Sequence, residues 1–439
     1  MSLVTVNFDV VTGTIKPMHA VNNGPIKSGY EQHRSNFETF QAAKIPFARN
    51  HDASFESAYG GEHTVDVHAI FPDFDADPYD PNSYDFFYTD EYTATILEAG
   101  TQVYYRLGTK IEHGGKKYGS LVPKDFDKWA VICEHIIRHY NEGWANGYHW
   151  NIRYWEVWNE PDGIAASGDQ PNWSGTPEQF YEMYSIAARH LKGCFPDLMI
   201  GGPAMCDFHE KWLIDFLRYQ KETNAPIDFI GWHWYGECPS WITTNALRFR
   251  DVLDREGYTH TESYLNEWNY LENWTDRFVA SVEGIISMRG AALVAGVMCL
   301  GQKLPIDMLM YYDARPCAFC GMFDVYTYRP LKGYYPFRMF SALYELDREV
   351  ENFSDDEEIY VTAAGNGQRH AAMITYYSLD KNAGPRIVDL KLSGLGNGKL
   401  RYYLLDEHNT MTEMALPENK KLILDPHSVV LVTDYCIND

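Results

Sequence analysis

From residue 15 to residue 344, short β-rich apolar runs alternate with longer helical patterns, and no other feature restricts the fold as much. Successive parallel strands need a crossover connection, usually a helix, so this alternation predicts a parallel sheet covered by helices. The strand runs fall at residues 15–21, 45–49, 102–107, 152–158, 198–202, 229–234, 264–267 and 308–312. Eight units of this kind are what a (β/α)₈ TIM barrel requires, and such a barrel carries its site at the C-terminal ends of the strands. Two helices are marked in detail. Thr176, Pro177 and Gln179 form a capping box with proline at the first helical position, ahead of an apolar face of Phe180, Met183, Ala187 and Leu191 that Gly193 is expected to end. Phe126, Trp129, Cys133, Ile136 and Tyr140 make a second face, ending near Gly143.

After about residue 345 the period changes. Short alternating runs at 359–363, 371–377, 387–392, 400–405, 422–424 and 429–433 predict an accessory antiparallel β-sandwich, with turns at Gly365-Asn366-Gly367 and Gly396-Asn397-Gly398. Residues 3–11 alternate in the same way. The expected division is therefore a catalytic barrel at 15–344, and a β-sandwich domain made of 1–14 plus 345–439.

Charge narrows the partners. Lys and Arg number 37 against 61 Asp and Glu, a formal net charge of −24, which repels nucleic acid and anionic membrane surfaces. The longest nearly apolar run, residues 291–301, falls well short of the roughly 20 residues a spanning helix needs. Met1-Ser2-Leu3 opens no signal-peptide pattern, so a cytoplasmic location is expected. Eight cysteines form no disulfide framework. Cys317 and Cys320 are the one close pair, and without a second pair to complete a zinc tetrahedron they read as ordinary thiols. The abundant aromatic residues leave a homo-oligomer open.

The densest chemistry is Tyr154-Trp155-Glu156-Val157-Trp158-Asn159-Glu160-Pro161-Asp162, at the end of the fourth strand. Alternation places Glu156, Trp158 and Glu160 on one face. A second carboxylate, Glu267, ends the seventh strand, across the mouth of a barrel from the fourth. Glycoside hydrolysis needs such a pair, one acid to protonate the leaving oxygen and one carboxylate to attack or to activate water. Glu160 suits the acid and Glu267 the nucleophile. On the sixth strand Tyr235 is placed to hydrogen-bond Glu267, and His233 to meet a sugar hydroxyl or a carboxylate. Arg49, in Arg49-Asn50-His51-Asp52 on the second strand, is expected to anchor the nucleophile by two charge-assisted bonds. With 12 Trp and 32 Tyr in the chain, stacking platforms for sugar faces are expected among Trp158, Trp173, Trp234, Trp241, Trp268 and Trp274. The Asp-, Tyr- and Pro-rich stretch from 51 to about 89 reads as a long loop walling one side of the cleft.

At these residues the sequence resembles clan A of the glycoside hydrolases, through Asn159-Glu160, His233-x-Tyr235 and Glu267. The barrel followed by a sandwich, with Trp158-Asn159-Glu160-Pro161 and His19-Ala20-Val21-Asn22-Asn23-Gly24-Pro25, resembles glycoside hydrolase family 39. That resemblance implies a retaining mechanism, β-xylosidase-like, with Glu160 as acid/base, Glu267 as nucleophile and Asn159 bonding the sugar 2-hydroxyl, and it implies no metal or organic cofactor. The sequence departs from the xylosidase members at Arg49-Asn50-His51-Asp52, where they tend to have Arg-Gly-His-Gly; His51 is expected among the substrate-binding residues, and Lys110 or His113 would meet the uronate carboxylate if the glycone were iduronate. The reading is a retaining, exo-acting glycosidase acting on an oligosaccharide or glycoside. Endo action, another glycone (iduronide, arabinoside, galactoside, glucoside) and a non-catalytic carbohydrate-binding role are the alternatives. A zinc hydrolase built on His63 and His68 is disfavoured, because their spacing lacks the glutamate of the helical zinc motif.

Overall fold

The structure is a computed structural model that describes residues 1–29, 32–51, 65–164, 168, 170–395 and 399–437. An eight-stranded parallel sheet occupies the first three-quarters of the chain. Its strands, in chain order, are Ala20–Asn22, Phe47–Asn50, Gln102–Leu107, Tyr154–Val157, Met199–Gly201, Phe229–Gly236, Glu262–Tyr270 and Met308–Tyr311. Each pairs with the next except the fifth with the sixth, and the first pairs with the eighth. The seam between fifth and sixth is closed by a bridge from Met205 to Trp232 and by bonds from Gly202 N to Phe229 O and from His233 N to Met205 O. A Cβ at Gly201 would stand 2.4 Å from the Phe229 carbonyl, so the closing strands approach this tightly only because residue 201 has no side chain. The fold is the TIM barrel that the alternation predicts.

The first strand begins later than the apolar run suggested, at Ala20 instead of residue 15, because Ile15 bonds Asp347 O instead. The helix Pro177–Cys194 has the full capping box, Gln179 N to Thr176 Oγ1 at 3.2 Å and Thr176 N to Gln179 Oε1 at 2.9 Å. Gly193 lies inside its last turn instead of ending it. Helix Phe126–Glu142 ends at Gly143 in the left-handed conformation, φ 77°. The stretch expected to be one long loop contains helix Val67–Ile70, and helix Phe87–Glu98 begins within it.

The remaining strands form one nine-stranded sheet in the order 410–415, 401–405, 428–433, 370–376, 359–365, 348–354, 2–14, 386–393, 421–424. All neighbours are antiparallel except Ser2–Thr14 beside Arg386–Ser393. Val4, Val6, Ile374, Leu390, Leu422 and Val432 share one buried cluster, so the two wings of the sheet enclose a sandwich-like core. Met373, Tyr403, Leu405 and Leu431 join the barrel core instead. Between barrel and sheet runs helix Met288–Lys303, buried on nearly every side, and this double burial accounts for its apolar composition. Among the described residues no single helix is long and apolar enough to cross a membrane.

Candidate active site

The fourth strand ends at Val157, and the backbone then enters the left-handed region at Trp158 (φ 74°) and at Glu160 (φ 45°). Few non-glycine residues adopt that conformation, and it breaks the period of two. Glu156, Trp158 and Glu160 therefore do not share a face. Trp158 turns outward, 2% exposed between Trp129 and Trp173, with Nε1 donating to Asn172 O at 2.8 Å. Glu160 swings over the mouth, its N–H bonded to Ala204 O, and its side chain remains 17% exposed.

Glu156 instead forms the floor. It is fully buried and accepts from Arg49 Nε at 2.7 Å, Asn266 Nδ2 at 2.5 Å and Tyr104 Oη at 3.1 Å. The other guanidinium nitrogens reach Asn22 Oδ1 (3.1 Å), Glu267 Oε2 (3.2 Å) and Asn159 Oδ1 (2.6 Å). Arg49 thus gives Glu267 one bond, not the expected two, since its fork is shared with Glu156 and Asn159. Burial works against its charge, but Glu156 and Glu267 outweigh this and keep it cationic.

One ligand atom from each of Glu160, His233 and Glu267 lies within 4.8 Å of the others. The two carboxylates sit in different surroundings. Glu160 shares a 2.7 Å hydrogen bond with His233 Nδ1 and accepts from Asn172 Nδ2 at 3.0 Å. Glu267 is buried among donors: Tyr235 Oη at 2.8 Å, His51 Nε2 at 3.1 Å and Arg49. Burial alone would raise its carboxyl, but His233, His51 and Arg49 outweigh it and hold Glu267 well below the usual carboxylate range. Burial lowers His233, yet the charge of Glu267 and the bond to Glu160 prevail and raise it. Burial, then Glu267, pushes the Tyr235 hydroxyl far up, so it remains a donor.

Several residues chosen from the sequence lie elsewhere. Trp268 is fully buried against Tyr311 and offers no face to a sugar, because Glu267 points inward and the next residue on a strand points out. Trp173 is likewise buried, at 2% exposure. His113 is exposed in a loop that folds around Glu112, whose carboxylate accepts from Tyr118 N and Ser120 Oγ, and no described contact links His113 to either catalytic candidate. Trp241 and Trp274 are 48% and 57% exposed, and Trp274 packs edge-on to Tyr235 with ring centres 5.0 Å apart. Cys317 and Cys320 are free thiols, and burial pushes Cys320 up to about 12. His63 lies outside the described residues, and His68 stands 3.9 Å from Asp66.

Glu156, Asn22, Tyr104, Asn172 and Asn266 belong to the site, although the sequence reading gave none of them a role. Asn266 explains why. The pairing of the sixth and seventh strands slips by one residue, Trp232 facing Leu265 and His233 facing Glu267. This bulge lets the consecutive side chains of Asn266 and Glu267 both point into the barrel, which regular alternation forbids. Two other groups have ligand-like spacing, Asp162 with Cys206 and His209, and Glu134 with His190 and Cys194. In the second, Glu134 is engaged by Arg138 at 2.7 Å. At the mouth itself, Arg49 beside Glu267 opposes a cation between the carboxylates.

Residues 46–252 match the family model of the glycosyl hydrolases family 39. A β-xylosidase from Geobacillus stearothermophilus is 32% identical over 115 residues, 26% of this chain and 21% of that protein. A β-xylosidase from Caldicellulosiruptor saccharolyticus is 29% identical over 177 residues, 38% of this chain and 34% of that one. The chain thus matches a fifth to a third of the length of these curated relatives. A glucosidase structure from Croceicoccus marinus superposes with a TM-score of 0.80 at 21% identity, covering 99% of this chain and 98% of that one, a likeness of fold. The matched segment runs from the second strand through Asn159, Glu160, His233 and Tyr235, so the part of the chain that carries these residues is similar to the glycosyl hydrolases family 39.

Proposed function

We propose that the protein is a retaining glycoside hydrolase that releases a terminal sugar by double displacement, with Glu267 as nucleophile and Glu160 as acid/base. The observation that carries this reading is the approach of one oxygen of each carboxylate to within 4.8 Å of the other, with Glu267 held ionised by the donors around it. Retaining enzymes hold their carboxyl groups about 5–5.5 Å apart, whereas inverting enzymes need about 6.5–9.5 Å to admit a water. Glu267 attacks the anomeric carbon while Glu160 delivers its proton to the leaving oxygen. Glu160 then takes a proton from the water that displaces the sugar from Glu267. Arg49, His51 and Tyr235 keep the Glu267 oxygens aligned and ionised, and His233 and Asn172 fix Glu160 over the bond to be broken. Asn159 binds the sugar 2-hydroxyl.

The name borne by the two curated relatives makes xylose the first glycone to try. Release of nitrophenol from aryl β-xyloside, α-arabinoside, β-glucoside, β-galactoside and α-iduronide, compared between wild type and Glu267→Ala, tests the reading. Turnover of one member that disappears in the variant is expected. A wild type inert on all five and on polysaccharides would leave a binding role in its place.

A further inference from the structure

Next to the catalytic pair lies an open pocket of about 430 Å³, lined by His233, which bonds Glu160, and by Tyr235, which bonds Glu267. Its far walls are Cys206 after the fifth strand, Trp241 and Arg248 from the helical segments after the sixth, and Trp274 after the seventh. The side on which it opens matters. Glu267 is anchored from the second strand through Arg49 and His51, whereas the turn that carries Glu160 is tied toward the fifth, Glu160 N to Ala204 O and Cys206 N to Asp162 Oδ1. A general acid faces the departing group, so a pocket next to Glu160 on this side receives the leaving group. That placement rests on the hydrolase reading above.

The lining identifies what leaves. Trp241 and Trp274 are about half exposed, and indole rings suit the C–H surface of a sugar. Arg248 is exceptional among the cations of its helix. Arg250 pairs with Asp254, and Arg255 with Glu210 and Asp251. Arg248 has no ion pair or hydrogen bond among the described residues, and its guanidinium carbon lies 3.9 Å from the centre of the Phe208 ring. Stacked in this way, a guanidinium keeps its N–H donors free for a planar anion. The neighbouring Asp207 does not claim it, its carboxylate accepting from Phe208 N at 2.7 Å and Asn245 Nδ2 at 3.4 Å. In a chain of net charge −24, an unpaired arginine facing the site is a specific provision for a negative ligand.

We propose that this pocket is the leaving-group subsite and that it takes a sugar bearing a carboxylate, a uronic acid whose carboxylate meets Arg248. The test is a titration of methyl β-D-glucuronide and methyl β-D-glucoside into the resting protein, wild type and Arg248→Gln, followed by NMR or calorimetry. The glucuronide is expected to bind about tenfold more tightly, the scale of one charge-assisted pair. The preference is expected to vanish in Arg248→Gln and to shrink with added salt. Equal binding of the two sugars, or a preference that survives in Arg248→Gln, overturns the assignment and leaves Glu160 and Glu267 untouched. Loss of the catalytic reading would appear separately, as failure of the aryl glycoside panel, and would remove the basis for placing the pocket on the leaving side.

Discussion

Arg49 Nη2 donates to the side-chain oxygen of Asn159 at 2.6 Å, and this one bond fixes which way the amide faces. A guanidinium has no acceptor, so the atom opposite it is the oxygen, and the NH₂ of Asn159 is what remains for a ligand. Asn159→Asp keeps the partner of Arg49 and removes that donor. It is expected to lower kcat/KM about 10- to 100-fold, the cost of one lost bond in a buried polar site. The same change should matter far less on a 2-deoxy glycoside, and an equal loss on both substrates would show that Asn159 does not read the 2-hydroxyl.

Glu160→Ala separates the acid from the nucleophile. General acid help contributes roughly 10²–10⁴-fold, and good leaving groups need little of it. Dinitrophenyl glycosides should retain much of their first-step rate, whereas alkyl glycosides or disaccharides should lose nearly all. Equal losses across leaving groups would place the acid elsewhere.

His51 is one of three cations or donors that hold Glu267 ionised against its burial. In His51→Ala the Glu267 carboxyl should rise, and the acidic limb of the kcat/KM profile should move to higher pH. The sign for stability follows the same shift. A carboxyl depressed in the folded state stabilises it above its unfolded value of about 4.3, and that contribution is lost as pH falls through the folded value. Acid unfolding of wild type should therefore depend on pH more steeply than that of His51→Ala. Denaturant titrations from about pH 5 downward measure it.

Gly231 carries the sixth strand past the floor of the site. A Cβ there would stand 2.6 Å from Asn266 Nδ2 and 2.8 Å from Glu156 Oε1. Gly231→Ala should cost about 1–3 kcal/mol, as overpacking does, and should lower activity as well, because Asn266 and Glu156 hold Arg49. Thr176→Ala, which removes a helix cap far from this network, should cost about 1 kcal/mol of stability and leave kcat unchanged. Parallel denaturation and rate measurements distinguish the two.

What the sequence disclosed follows from which interactions are local. The Thr176 capping box spans four residues and is visible as a pattern. Glu160 and Glu267 were legible because a barrel brings every strand end to one mouth. The division of Arg49 between four partners was not, since it depends on side chains from the first, fourth and seventh strands meeting at one point. Trp158 and Trp268 read as platforms from their places at strand ends, but the left-handed residue at 158 turns the first away from the mouth, and the second, next to the inward Glu267, points out of the barrel and is buried. Strands Arg348–Ser354 and Thr410–Ala415 escaped for a simpler reason: one buries only Val350 and the other buries nothing, so neither has the alternating apolar period that marks a strand.

The central claim is that Glu267 forms a covalent bond to the sugar. Incubation with the 2-deoxy-2-fluoroglycosyl fluoride of whichever sugar the aryl panel releases should arrest the enzyme, because the 2-fluorine slows both steps while the good leaving group restores the first, so the covalent intermediate accumulates. Intact mass should rise by one fluorosugar per chain, and peptide mapping should place it on Glu267. Turnover without any adduct, or an adduct on another residue, would contradict the account.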